Sequence, residues 1–295
     1  MFSREVAHGG GMHRILSTYR YVSQPLTPAL LAEIARAGIS GVEIFCSAFH
    51  FNYGNPQSVR DIANSLQDYG LQLQSLHAPT ERDSTLGRGS GLPISISEPE
   101  RIRRQDALDE VKRAIDVAET IPFRYLVQHL GSSRQAADPR NLDAAFGSLE
   151  HLAAFAKQRG VTIALENTPS EIGAPASLLQ FVKETHLRDL RFCFDIGHAH
   201  VDGGVEASFN LMRDLVVTAH IHDNHGEKDE HLLPYEGTID WDSALAGFAT
   251  APEPLPLVVE LKETAPGTPS LDLIRAAFDK LEKHLDQKGV SAARK

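Results

Sequence analysis

Short apolar runs alternate with amphipathic segments along almost the whole chain. The apolar runs have the length and the branched side chains of strands, and they lie at 13–21, 41–47, 71–79, 125–131, 161–169, 190–195, 216–224 and 255–262. The segments between them carry helical periodicity or helix start and stop signals, and they lie at 27–38, 55–70, 98–121, 141–160, 176–186, 205–215, 239–251 and 270–289. The pattern therefore predicts eight strand–helix pairs.

Several of the predicted strands are largely apolar instead of alternating, which indicates strands buried on both faces in a parallel sheet. Eight strand–helix units in roughly 280 residues are typical of a (β/α)₈ TIM barrel, an α/β fold, and we predict one such domain over 13–289. An open doubly wound sheet is the alternative, but no Gly-rich dinucleotide fingerprint follows a strand. Residues 1–12 are predicted to form a disordered N-terminal tail and 290–295 a C-terminal tail.

Imidazole and carboxylate side chains gather where the predicted strands end. The groups able to bind a metal at the strand ends or in the loops just beyond them are His77, His129, Glu166, Asp195, His198, His222, Asp229, His231 and Glu260. In a TIM barrel these ends meet at one mouth, where active sites lie. Carboxylates crowded there would repel one another unless cations lay between them. The sequence therefore predicts a metal site at the mouth.

Each of these residues also has a purely structural interpretation. A lone histidine at a strand end is usually a hydrogen-bonded rim residue, and Asp195 could simply be an N-cap. Glu166 and Glu260 are the strongest candidates, because a carboxylate at the end of an apolar run is costly to bury without a partner. In the run 216–224, His220 and His222 share a face, and we choose His222 because it is nearer the C-terminal end.

Substrate contacts are predicted from the neighbouring segments. Glu43 lies in the second strand, and His50 lies in the loop after it. Arg134 lies in the long segment 131–140, where a guanidinium could bind a phosphate or a carboxylate. These residues are expected to approach the mouth.

Composition limits the partners. The 295 residues are 42% hydrophobic, enough for a full core, and the formal net charge is −10. An acidic chain argues against nucleic acid as the main partner, although bound metal ions would reverse the field locally. Cys46 and Cys193 lie in apolar runs and are expected to be reduced core thiols. With no signal peptide or membrane span in the sequence, we expect a cytoplasmic protein without a membrane partner, and a homo-oligomer stays open.

The motifs at the strand ends, taken together and in order, resemble one known superfamily. They are LHAP, VQHLG, ALENTP, FDIGHAH, HIHDN, DEH and VVELK. This set is similar to that of the xylose isomerase-like barrels, which include sugar isomerases and epimerases and the endonuclease IV group. The resemblance spans the chain from residue 13 to residue 285.

The two branches of the superfamily imply different metal contents. Ketose 3-epimerases use one divalent ion, and the resemblance assigns its ligands to Glu166, Asp195, His222 and Glu260, with His198 on the substrate. The endonuclease IV group binds three zinc ions with further ligands that match His77, His129, Asp229 and His231. This sequence carries all of these residues. We therefore expect one to three divalent ions, Zn²⁺ or Mn²⁺.

Two reactions are compatible with such a site. The favoured prediction is a sugar or sugar phosphate isomerase or epimerase with a carbohydrate substrate. It acts through a metal-stabilised enediolate, with Glu166 and Glu260 as the acid–base pair and His198 steadying the oxyanion. The alternative is a multi-zinc phosphodiester hydrolase of the endonuclease IV type. A non-catalytic sugar-binding barrel is a third class, but a metal site this rich is seldom only structural.

Overall fold

In a computed structural model, eight parallel strands close into a barrel in chain order, as the alternation of apolar and amphipathic segments predicts. Each strand pairs with the next, and the first also pairs with the last. The structure describes residues 12–82, 92–132, 135–262 and 269–288. Nearly all of the predicted N-terminal tail, the whole C-terminal tail and Arg134 lie outside these residues. The TIM barrel prediction is confirmed.

The strands are short, and their C-terminal ends define the barrel mouth. They are β1 Ile15–Ser17, β2 Gly41–Phe45, β3 Gln72–His77, β4 Tyr125–His129, β5 Thr162–Glu166, β6 Arg191–Asp195, β7 Val216–Ile221 and β8 Leu257–Val259. His77, His129, Glu166 and Asp195 are each the last residue of their strand. The strand geometry therefore delivers these side chains to the mouth.

The helices surround the barrel and begin where the sequence signals them. In the described part of the chain they are α1 Pro28–Arg36, α2 Pro56–Tyr69, α3 Arg101–Asp116, α4 Pro139–Lys157, α5 Pro175–Thr185, α6 Ile196–Val201, α7 Val205–Met212, α8 Trp241–Phe248 and α9 Leu271–Lys288. The Thr27 side chain accepts from the Leu30 amide at the start of α1, as expected for an N-cap. Gly70 ends α2 at φ 66°, a conformation that glycine adopts without strain.

Three differences from the sequence-based expectation bear on the site. The predicted strand 13–21 is β1 followed by a 3₁₀ turn at Thr18–Tyr21. The short helix α6 was not predicted, and Asp195 caps it by accepting from the His198 amide at 2.7 Å. The last strand stops at Val259, so Glu260 lies one residue beyond it. These differences all lie at the mouth, where side-chain hydrogen bonds compete with the strand ladder.

The interior of the barrel changes from apolar to polar towards the mouth. Val127, Ala164 and Cys193 form a small apolar cluster. Each lies two residues before a mouth residue on the same strand, and therefore one layer deeper. A far larger apolar layer joins the strands to the helices and contains Cys46. Both cysteines are buried free thiols, as predicted. No helix within the described ranges has the length and apolar character that a bilayer crossing requires.

Candidate metal centre

Three groups of potential metal ligands meet at the mouth, and within each group the ligand atoms lie within 4.8 Å of one another. We call Glu166, Asp195, His220 and Glu260 the inner group. We call His77, His129 and Glu166 the side group, and His198, His222, Asp229 and His231 the outer group. Glu166 belongs to both the inner and the side group.

The inner group is built around one nitrogen, the Nδ1 atom of His220. It lies 3.1 Å from Glu166 Oε1, 3.5 Å from Glu260 Oε2 and 3.8 Å from Asp195 Oδ2. The opposite ring nitrogen, Nε2, lies 3.1 Å from the carboxylate of Glu43. Because Nε2 faces the ionised Glu43, Nδ1 is the ring nitrogen turned towards the three other carboxylates, where it could bind a cation after losing its proton.

The side group is joined to the inner group through the two oxygens of Glu166. Glu166 Oε1 faces His220, whereas Oε2 lies 3.2 Å from His77 Nε2 and 3.0 Å from His129 Nε2. The other ring nitrogen of His77 donates to the carbonyl of Ala78 at 2.8 Å, which fixes the ring. Glu166 is therefore placed as a carboxylate able to bridge two cations.

The outer group lies above the inner one and shares its edge through Asp195. His222 Nε2 lies 3.0 Å from Asp195 Oδ1, and the His222 ring stacks on His231 with centroids 3.9 Å apart. His231 Nε2 and His198 Nε2 lie 2.9 and 3.6 Å from Asp229 Oδ2. These four residues converge from the end of β7, from α6 and from the connection between β7 and α8.

Protons compensate the buried negative charge of the apoprotein. Burial raises the pKa of Glu166, but the charges of His220 and His129 outweigh it and hold the pKa well below its usual range. Burial lowers the pKa of His198, but Asp195 and the hydrogen bond to Asp229 outweigh it and raise the pKa to about 10. The pKa of His220 is also raised, against its burial, by the surrounding acidic groups. Cation binding here would displace protons.

The donor set fits divalent metal ions. Imidazole together with carboxylate suits Zn²⁺ and also Mn²⁺, and the burial of unpaired carboxylates is otherwise costly. Within the described residues, two buried atoms of the outer group, His222 Nδ1 and Asp229 Oδ1, have no hydrogen-bond partner. A cation bound among these ligand-type side chains would satisfy both atoms.

All nine residues predicted as ligands from the sequence lie in these groups, and their ligand roles stay predictions. The sequence reasoning missed His220. It preferred His222 for the inner set, whereas the structure places His220 there and His222 in the outer group. The signal was the strand register, since His220 is the residue of β7 paired with Asp195.

The described residues that are predicted to contact the substrate lie outside the three ligand groups. Glu43 is fully buried beside His220 and also accepts from Ser75 Oγ at 2.7 Å, and its role as a substrate contact stays a prediction. His50 is buried as well, with its ring nitrogens 2.6 Å from the carbonyl of Gln24 and 3.0 Å from Thr18 Oγ1. Both side chains hold the protein's own elements in place. Arg134 lies outside the described residues.

Comparison with known proteins agrees with this fold. A protein of Methanocaldococcus jannaschii, MJ1614, is 33% identical over 218 residues, 72% of this chain and 77% of that protein. A probable endonuclease 4 of Natronomonas pharaonis is 25% identical over 59% of this chain and 70% of its own length. The crystal structure of a D-tagatose 3-epimerase-like protein superposes with a TM-score of 0.78 at 23% identity, covering 95% of this chain and all of that one.

A family model described as xylose isomerase-like TIM barrel matches residues 31–284, which is most of the chain. This match includes every residue of the inner, side and outer groups. The chain therefore belongs to the xylose isomerase-like TIM barrel family.

Proposed function

We propose that the chain is a divalent-metal-dependent isomerase or epimerase of sugars or sugar phosphates. The observation that carries the proposal is the inner group, in which two glutamates and an aspartate from different strands converge on His220 Nδ1. Such a set can hold one cation and still present two carboxylates to a substrate. The structural similarity to a D-tagatose 3-epimerase-like protein is consistent with this activity.

A divalent ion in the inner group would acidify the C–H bond beside a sugar carbonyl. We assign removal of that proton to Glu260, since its Oε1 accepts only a long 3.3 Å hydrogen bond, from Ser17 Oγ, among the described residues. Glu166 is less suited, because both of its oxygens are held by histidines.

Return of a proton is assigned to Glu166, which is ionised at rest and would relay a proton from a neighbouring histidine. His129 lies 3.0 Å from Glu166 Oε2, and its side chain is 28% exposed, so it can exchange protons with solvent. The Nδ1–H of His198 donates to the carbonyl of Asn167 at 2.9 Å, which turns Nε2 towards Asp229 and the mouth. There His198 can donate to an oxygen that gains negative charge during proton transfer.

Proton exchange at carbon is the direct test. The metal-loaded protein is incubated in deuterated water with a panel of ketoses, aldoses and their phosphates, and loss of C–H signal is followed by NMR. We expect exchange with at least one sugar, and loss of it in Glu260→Gln. Glu150→Gln, an exposed glutamate of α4, is the matched control and should exchange like the wild type. The proposal fails if no sugar exchanges or if Glu260→Gln is fully active.

A phosphodiester hydrolase is the second candidate, and one observation favours it specifically. Glu166 joins the side group to the inner group, as a carboxylate bridging two metal ions would, and the outer group offers a third set of ligands. The similarity to a probable endonuclease 4 agrees with it. Zinc-dependent cleavage of a duplex carrying an abasic site, lost in His129→Ala, together with absent sugar exchange, would establish this candidate over the first.

A further inference from the structure

A lysine side chain lies at the edge of the outer group. Lys262, two residues after Glu260, places its Nζ 2.6 Å from Asp229 Oδ2 and 2.6 Å from the Asp229 carbonyl oxygen. Its side chain is 34% exposed, whereas that of Asp229 is 21% exposed. The ammonium group therefore bridges the end of β8 to the connection that carries Asp229.

The two oxygens of the Asp229 carboxylate have different surroundings. Its Oδ2 atom is engaged by Lys262 and by His231. Its Oδ1 atom is buried without a hydrogen-bond partner in the described part of the chain, and lies 3.9 Å from His222 Nε2. A cation bound by Oδ1 would thus lie only a few ångströms from a fixed ammonium.

The carboxylates of the inner and side groups have no such lysine partner among the described residues. Across the residues that the structure describes, the ion pairs of Glu166, Asp195 and Glu260 are all with histidines, which can give up their protons to a metal. A lysine ammonium has three hydrogen-bond donors and no lone pair to offer a metal. The outer group is therefore the one whose carboxylate is already paired with an ammonium group.

We propose that Lys262 acts as a built-in cation for the outer group, so that this group holds a divalent ion weakly while the inner and side groups hold theirs tightly. Two effects oppose each other here. The hydrogen bonds from Lys262 orient Asp229, and such support is worth about 10- to 100-fold in metal affinity. Repulsion between an ammonium and a divalent ion this close, in a partly buried site, outweighs that support.

The inference rests on the metal dependence of the proposed function and extends it. If the third ion is bound only weakly, the protein does not have the three tightly bound ions of the endonuclease IV arrangement. Its tightly bound ions then lie beside Glu260 and Glu166, the two residues assigned to proton transfer. Lys262 thus determines how many divalent ions the site binds tightly.

Metal titration tests the proposal without reference to any sugar. Zn²⁺ binding to the full chain is measured by calorimetry and by elemental analysis after dialysis at buffered free zinc. We expect Lys262→Met to bind one further equivalent, or to bind its weakest ion at least about tenfold more tightly than the wild type. Lys262→Arg keeps the charge and should behave like the wild type. His231→Ala in the Lys262→Met background should remove the gained equivalent, which assigns it to the outer group.

The same titration can overturn the proposal. Equal stoichiometry and affinity in wild type and Lys262→Met, or weaker binding in the variant, would show that Lys262 is only a support. Lys262→Gln, with a polar side chain, is measured in parallel in case the methionine variant fails to fold. If wild type and both variants bind no metal, the proposed function and this inference fall together. If all bind the same number of ions with the same affinity, only the inference falls.

Discussion

The inner and outer groups use the same kinds of side chain, but the protein holds them in different ways. Glu166 and Asp195 end β5 and β6, and His220 lies within β7. Asp229 and His231, by contrast, lie in the connection between β7 and α8, and His231 adopts φ 54°, which is uncommon for a residue other than glycine. The inner group is positioned mainly by the strand ladder, whereas a loop positions two of the four residues of the outer group.

That loop is organised around one buried carboxylate. Asp223 is fully buried and accepts hydrogen bonds from the amides of Asn224, Tyr235 and Ile239 and from Trp241 Nε1, at 2.8–3.2 Å. Asp223 thus joins the start of the connection to its end through four separate hydrogen bonds. The positions of Asp229 and His231 depend on all four of these bonds. We therefore expect the inner group to be the rigid chemical centre and the outer group to be the adjustable part.

The largest effect is expected from Asp195→Asn. Asparagine also caps helices, so α6 should keep its start, while the inner group loses a charged ligand. We expect activity to fall by at least about a thousandfold, equivalent to about 4 kcal/mol. Kinetics and metal analysis measure this, with a circular dichroism melt as the check on folding. A smaller loss than that caused by His231→Ala would reverse our ranking of the two groups.

Removal of Glu43 tests whether its contact with His220 Nε2 holds the inner group in place. Glu43→Ala frees Nε2 of His220, so the ring can change its tautomer or rotate, and we expect metal affinity to fall about 10- to 100-fold. Glu43→Gln can still accept from Nε2–H and should lose less. Competition with a chelator measures both variants. Equal losses would mean that the charge of Glu43, and not its hydrogen bond, is what matters.

The sequence predicts well those parts of the molecule that follow from the periodicity of apolar residues and from the positions of strand ends. Strand-like runs and helix caps predict the barrel, and the strand ends place Glu166 and Asp195 at the mouth. The sequence does not separate the positions of His220 and His222, because both face the same side of β7 and only the pairing with β6 distinguishes them.

Other features depend on contacts between residues that are distant in the chain. The full burial of Glu43 against His220 is one such feature, since strand position gives the face of a side chain but not its depth within a tilted barrel. The bond between Lys262 and Asp229 joins residues 33 positions apart through a loop with an irregular backbone. No local pattern encodes such a contact, so the cationic partner of the outer group appears only in three dimensions.

A glycine substitution should damage the outer group alone. A Cβ atom on Gly197 would lie 1.9 Å from His222 Cε1, so Gly197→Ala must displace that buried ring. We expect a loss of about 1–3 kcal/mol in unfolding free energy and weaker metal binding in the outer group. Gly147→Ala, in α4 with no atom within 4 Å of the new Cβ, is the matched control and should stabilise by about 0.5–1 kcal/mol. Loss of the inner metal in Gly197→Ala would contradict the separation of the groups.

The pH dependence of the metal-free protein probes the protons of the outer group. His198 has a folded pKa of about 10 against an ordinary value of 6.5. The stability it contributes is therefore complete below pH 6.5 and is lost as the pH rises towards 10. We expect His198 to contribute a fall of about 1.4 kcal/mol per pH unit to the unfolding free energy in this window. Urea unfolding with a chelator at pH 7, 8 and 9 measures the slope, and His198→Asn should flatten it. An unchanged slope in that variant would contradict the assignment.

The smallest effect is expected from Trp241→Phe, which removes one of the four donors to Asp223. The other three are backbone amides, so the carboxylate stays largely satisfied, and we expect a loss of about 1 kcal/mol. The change should still loosen the connection that carries Asp229 and His231. Hydrogen exchange should quicken at the amides of Tyr235 and Ile239 while the amides of β5 and β6 stay protected. Equal acceleration at the strand ends would mean that the two groups open together, and the contrast between a strand-held centre and a loop-held one would no longer apply.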